Sequence, residues 1–215
     1  MNKFFKKFTA LFLALTMMLC AVPAYAGVRV SMPKSKAISI HPQRKDNKAE
    51  FIGGVTGTSK VSVSAGNKSI LTVSKIRYTD GITRIFAIPK KTGTTNIYTK
   101  VGSKTYKTKV TVKKYANPVK YVKIGKTNLT TKNFAKSPVC NTSYKKLANK
   151  HYKVNVRLNK GWKIGKIMYV PCGWDYADLI SNGQTFKFYG GKNSKLMIEC
   201  IGRGGIKENI IVKLV

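Results

Sequence analysis

His41 and His151 are the two imidazoles of this 215-residue chain, and neither stands in a spacing that supports catalysis. Metalloprotease chemistry needs two histidines four apart around a glutamate, a serine hydrolase needs a Gly-x-Ser-x-Gly elbow, and nucleotide binding needs a glycine-rich loop opening a helix. None of these patterns occurs. Both histidines are therefore read as surface residues. In Gly173-Trp174-Asp175-Tyr176-Ala177-Asp178, two carboxylates stand beside an indole, a combination that a glycoside hydrolase could use. Such an enzyme needs one carboxyl kept protonated, whereas a strongly positive surrounding field favours the ionised form. Sugar binding without cleavage suits these residues better, with Trp162 and Trp174 as candidate stacking faces. Each indole could equally fill a core.

Beyond residue 26 the cysteines are Cys140, Cys172 and Cys200. An odd number leaves either one disulfide with a free thiol or three thiols. Cys200 alternates with Leu196 and Ile198, which turns it towards a core, and Cys172 follows the apolar run 162–170. Cys172 and Cys200 are thus the candidate disulfide pair. Cys140 and His151 have no orienting acid nearby, which argues against a Cys-His nucleophile. Zinc needs four ligands at a recognisable spacing, and no such set appears. No metal, no other cofactor and no enzymatic activity are expected.

Charge is the dominant chemical property. The chain holds 41 Lys and Arg against 7 Asp and Glu, a formal net charge of +34, where a small folded domain usually carries about 2–8. Self-repulsion on that scale costs stability, so a negatively charged partner is expected. Arginine is confined to Arg29, Arg44, Arg77, Arg84, Arg157 and Arg203. Planar recognition of phosphates, carboxylates and guanine edges favours Arg, whereas Lys acts as a mobile point charge. A lysine-dominated surface therefore suits diffuse, salt-sensitive attraction to a polyanion. Nucleic acid is expected to bind only non-specifically. Lysines that merely keep strand edges soluble are the plain alternative.

Residues 1–26 read as a cleaved export signal: Lys3, Lys6 and Lys7 precede the apolar run 8–19, and Ala24-Tyr25-Ala26 offers a small-x-small cleavage site. Cys20 follows Met17, Met18 and Leu19, a poor setting for lipid attachment. A secreted, extracellular protein is expected. Residues 210–215 read as a final strand rather than a wall-sorting signal, so any retention at the cell surface would be non-covalent.

After the leader, short alternating runs of β-branched and aromatic residues recur between Gly, Asn, Asp and Pro. They predict strands over 37–41, 49–52, 60–63, 71–75, 83–88, 95–101 and 105–113, then 119–124, 152–158, 162–170, 185–189, 195–201 and 208–214. Many short strands at this spacing point to an all-β, sandwich architecture. Asn117-Pro118 follows a completed hairpin and contains a strand breaker, dividing the chain into domains over 27–116 and 117–215. Pro33 and Pro42 bracket the first strand, so the segment up to Asp46-Asn47 is read as loop and edge strand. In the hairpin 95–113, alternation turns Ile97, Thr99, Val101, Tyr106, Thr108, Val110 and Val112 inward. Lys100, Lys107, Lys109 and Lys113 then share the outer face and form the candidate polyanion-binding set.

The Val61-Ser62-Val63 strand with Gly66-Asn67, the Leu71-Thr72-Val73-Ser74 strand, the Asp80-Gly81 turn, Gly93-Thr94-Thr95-Asn96-Ile97 and the closing Tyr106–Val112 segment together resemble a bacterial immunoglobulin-like domain of group 2. Val63 stands where that family often has Trp. Residues 118–215 resemble, more loosely, the companion β domain of small secreted proteins that carry such modules. The resemblance implies two tandem immunoglobulin-like β-sandwich domains and an adhesive or spacer role at the surface. The expected partners are anionic cell-wall polymers or acidic glycans. The alternative is a glycan-binding or host-adhesive module that uses exposed aromatics.

Overall fold

The computed structural model describes residues 27–58 and 60–215; the export signal read over 1–26 lies outside the described residues. The first part of the chain forms β1 (Arg29–Ser31), β2 (Ser35–Ile40), β3 (Glu50–Thr56), β4 (Val61–Ala65), β5 (Leu71–Arg77), β6 (Thr83–Pro89), β7 (Gly93–Val101) and β8 (Lys104–Lys114). These make two sheets, ordered β1-β3-β6-β5 and β2-β8-β7-β4. Ile52, Val55, Leu71, Ile85 and Ala87 of one sheet meet Ile38, Val61, Ile97, Val110 and Val112 of the other in a single buried cluster. Period-2 alternation is the cause: each strand gives one apolar side inward and one polar side outward.

The remainder forms β9 (Val119–Ile124), β10 (Thr127–Thr130), β11 (Val139–Thr142), β12 (His151–Leu158), β13 (Trp162–Val170), β14 (Asp178–Ile180), β15 (Thr185–Lys187), β16 (Lys195–Gly202) and β17 (Lys207–Leu214). Their sheets are ordered β10-β9-β12-β15 and β11-β17-β16-β13-β14. A second buried cluster lies between them, built on Val122, Ile124, Val154 and Val156 from one side and Tyr169, Leu196, Ile198, Ile210 and Val212 from the other. The fold is an all-β sandwich in each part. Each sandwich also sets an early strand parallel to its last one, β2 beside β8 and β11 beside β17.

The strands not anticipated are β1, β10, β11 and β14, each of three or four residues, too short for alternation to register. β3 runs on past the expected end at residue 52 because Gly53 tolerates close approach. A Cβ there would clash with the Ser31 carbonyl oxygen, and the β3–β6 register shifts at this point. Gly125 closes the β9–β10 hairpin at φ +57, and the Tyr152 ring lies where its Cβ would be. Among the described residues no helix is long and apolar enough to cross a membrane.

The two sandwiches touch through a few specific groups. The Tyr115 hydroxyl donates to the Phe134 carbonyl at 3.1 Å, and the Tyr115 ring packs on His41 at 4.9 Å between centroids. His41 is thereby a correction to the surface reading: its side chain is only 10% exposed and meets Glu208 across the junction. A histidine bracketed by Pro42 and a polar loop looks exposed from sequence; only the second sandwich covers it. His151 does stay exposed.

Candidate functional site

The β2-β8-β7-β4 sheet carries the lysine set on its solvent side. Lys100, Lys107, Lys109 and Lys113 are all exposed, while Ile97, Thr99, Val101, Thr108, Val110 and Val112 are buried and Tyr106 is half-buried. Register places Lys100 between Ser62 and Thr105, Lys107 opposite Tyr98, and Lys109 between Asn96 and Ser35. Lys107, Lys109 and Lys113 follow one strand at multiples of the two-residue repeat, about 6.8 Å. None of the four joins an ion pair among the described residues.

Carboxylates are segregated by sheet. The strands of β2-β8-β7-β4 contain no Asp or Glu, and neither do those of β10-β9-β12-β15. On the latter sheet Lys123, Lys153, Arg157 and Lys187 are exposed, with the Lys123 ammonium 5.1 Å from the centroid of the Tyr121 ring. The other two sheets hold the strand carboxylates and present apolar groups outward. Phe51, Ile76 and Ile88 are exposed on one and Leu179 on the other. Each sandwich therefore has one basic, carboxylate-free face, an arrangement that raises local cation density without neutralising partners.

Lys113 and Trp162 were separate readings in sequence, and the fold brings them together. The β12–β13 turn is tied to the segment between the sandwiches: the Asn159 backbone N–H donates to the Pro118 carbonyl at 2.7 Å, and its side-chain amide donates to the Asn117 carbonyl at 3.0 Å. Lys160 and Trp162 are thus held beside the end of β8. Together with Lys113, Lys114, Arg203 and Ile206 they line a cleft of about 480 Å³. Trp162 is half-buried and packed against the second core, so only part of the ring faces the cleft. Lys114, Lys160 and Arg203 were not singled out in sequence. Each looks there like one cation among many.

Trp174 is 50% exposed and Tyr176 48%, in the loop after β13. Their rings are 4.9 Å apart and nearly perpendicular, and Trp174 also abuts Tyr189 at 6.0 Å. The Tyr189 hydroxyl donates to Asp178, which raises its pKa above the usual phenol range. Asp178 is therefore engaged as an acceptor while Asp175 lies exposed.

The candidate disulfide is corrected by register. Cys140, Cys172 and Cys200 are all free thiols. Cys200 lies in the β16 interior opposite Ile164, whereas Val170 pairs with Lys195 at the far end and the Cys172 N–H donates to Ser194 Oγ. The two cysteines are separated by roughly 20 Å along the sheet, well beyond the Cα spacing of about 7 Å that a bridge allows. The core orientation read for Cys200 is as observed, with 0% exposure.

No family model matches the chain, and a comparison with curated proteins finds no match. Among solved structures it is similar to surface layer protein SbsC, domains 5-6, at 14% identity over 88% of this chain and 100% of that one, with TM-score 0.35. For SbsC domains 4-9 the identity is 15% and the TM-score 0.35, and the aligned region spans only 31% of that structure. The Yersinia pseudotuberculosis adhesin InvE is similar at 11% identity over 87% of this chain and 58% of that one, with TM-score 0.28. At these values the functional reading rests on this chain's own side chains.

Proposed function

We propose that this is an exported, non-enzymatic surface or matrix protein that binds anionic envelope polymers through Lys100, Lys107, Lys109 and Lys113. One observation carries the reading: these four lysines are exposed on a sheet whose strands contain no carboxylate. Export rests on the leader over 1–26, and the adhesive or spacer role agrees with the resemblance to bacterial immunoglobulin-like domains of group 2. Each contacted phosphate or carboxylate releases a condensed counterion, so affinity for a polyanion falls log-linearly with salt. The test is capture of the protein on cell walls with and without teichoic acid across a salt series. Replacing the four lysines by Gln flattens the slope and leaves the fold intact; capture that is indifferent to salt overturns the reading.

A second reading is favoured by Trp174 and Tyr176, whose exposed, perpendicular rings suit stacking on a sugar. Under it, neutral glycans bind with little salt dependence and Trp174→Ala abolishes binding without unfolding the chain.

A further inference from the structure

The cleft that joins Lys113 to Trp162 adds an indole and an arginine to its lysines, a combination that neither lysine face has. It is an open depression, and its volume of about 480 Å³ falls within the range of small-molecule sites, about 300–1,000 Å³. Its cations come from three separate parts of the chain: Lys113 and Lys114 from the end of β8, Lys160 from the β12–β13 turn, and Arg203 from the turn after β16. Among the described residues no carboxylate lines it. Trp162 and Ile206 supply the apolar part of the wall, and the indole packs over Gly202, the residue opposite it in the ladder. Gly161 adopts φ +90, a conformation that favours glycine, and its Cβ position lies at ordinary contact distance, 3.5 Å, from Arg203 Nε.

We propose that this cleft binds one anionic saccharide unit, with the sugar's apolar face against Trp162 and its carboxylate or phosphate held by Arg203, Lys160 and Lys113. The inference rests on the polyanion reading above and names the polymer unit that is gripped rather than merely attracted. Arg203 supplies the planar, two-point contact that a carboxylate or phosphate accepts and that the lysines cannot. Single-stranded nucleic acid is disfavoured, because successive bases need a series of stacking rings and this cleft holds one. Lys113 also belongs to the outer face of β8, so a polymer lying along Lys107 and Lys109 leads into the cleft without a break.

The chain has two tryptophans, so Trp174→Phe leaves Trp162 as the sole indole reporter. In that background the protein is titrated with a galacturonic acid oligosaccharide, a sugar phosphate, a neutral oligosaccharide of equal length, inorganic phosphate and a short single-stranded oligonucleotide. The acidic oligosaccharide is expected to change Trp162 emission, and Arg203→Gln to weaken binding about tenfold, the scale of one charge-assisted hydrogen bond. The neutral oligosaccharide and inorganic phosphate are each expected to bind at least about tenfold more weakly. The sugar phosphate arm distinguishes a phosphate-bearing unit from a carboxylate-bearing one. Lys100→Gln with Lys107→Gln should lower polymer capture more than it weakens the oligosaccharide titration, whereas Arg203→Gln should act chiefly on the titration. Circular dichroism and the unfolding midpoint verify that each variant is folded. If the protein still captures wall polymer but Trp162 emission is unmoved and Arg203→Gln has no effect, the cleft inference fails and the lysine-face reading stands. An oligonucleotide that matches the acidic oligosaccharide overturns the saccharide class. Absence of polymer capture at low salt overturns the polyanion reading, and this inference with it.

Discussion

His41 Nε2 and Glu208 Oε2 lie 3.1 Å apart although 167 residues separate them in the chain. His41 belongs to the loop after β2 and Glu208 to β17, so this contact bridges the two sandwiches. Glu208 is 3% exposed, and a carboxylate so deeply placed needs a partner to offset its desolvation. His41 supplies that partner, and the Tyr115 ring packs against the imidazole. Two further carboxylates, Asp46 and Glu50, line the same junction cavity.

Glu208→Ala removes the acceptor and leaves the buried imidazole without its bond. The expected loss is about 2 kcal/mol, read as a shift in denaturant midpoint. His41→Ala should then cost less in the Glu208→Ala background than in the parent, since the shared bond is already gone and only the Tyr115 packing remains to be lost. Full additivity of the two losses would show that the contact contributes nothing.

Burial pushes the Glu50 carboxyl above its usual 4.5, opposed by Lys36, reinforced by Glu208 and opposed again by His41. A raised folded pKa means that the folded chain keeps this proton longer than the unfolded chain does. Glu50's contribution is therefore complete below pH 4.5 and is lost as pH rises through the folded value. Glu50→Gln should abolish that loss, giving a variant more stable than the parent at neutral pH. Stability curves measured across the carboxylate range check the sign; parallel curves for parent and variant would contradict it.

The three thiols should react in a definite order. Burial, with Glu208 and Glu199 adding to it, pushes Cys200 up to about 12, and burial also raises Cys140. Cys172 is exposed. Because the thiolate is the nucleophile, alkylation at pH 8 should label Cys172 first, Cys140 slowly and Cys200 only on unfolding. Mass spectrometry of timed digests reads this directly, and early labelling of Cys200 would contradict the burial argument.

Severing the chain at Ala116 should leave two fragments that each unfold cooperatively. Each of the two buried clusters draws all its members from one side of that point, and fragments of about 90–100 residues can support a core. The separated halves should also each lose a little stability, because His41, Glu208 and Tyr115 lose their cross-junction partners. A fragment without dispersed amide resonances would make the chain one cooperative unit.

Local pattern was enough to read the sandwich class, most of the longer strands, the inward set of the β7–β8 hairpin and the outward set of four lysines. Period-2 alternation is a property of consecutive residues, and it survives folding because each strand keeps one face in water and one in the core. The core position of Cys200 was legible for the same reason. Pairing across the chain was not. The separation of Cys172 from Cys200 depends on the β13–β16 register, and the burial of His41 depends on a strand 167 residues away. The cleft required Asn159 to tie the β12–β13 turn to the segment between the sandwiches, so that Trp162 and Arg203 came to stand beside Lys113. Sequence alone determined the composition and alternation of each face. Tertiary structure decided which faces and ends became neighbours, because contacts between distant segments depend on sheet order and domain docking, which no local repeat encodes.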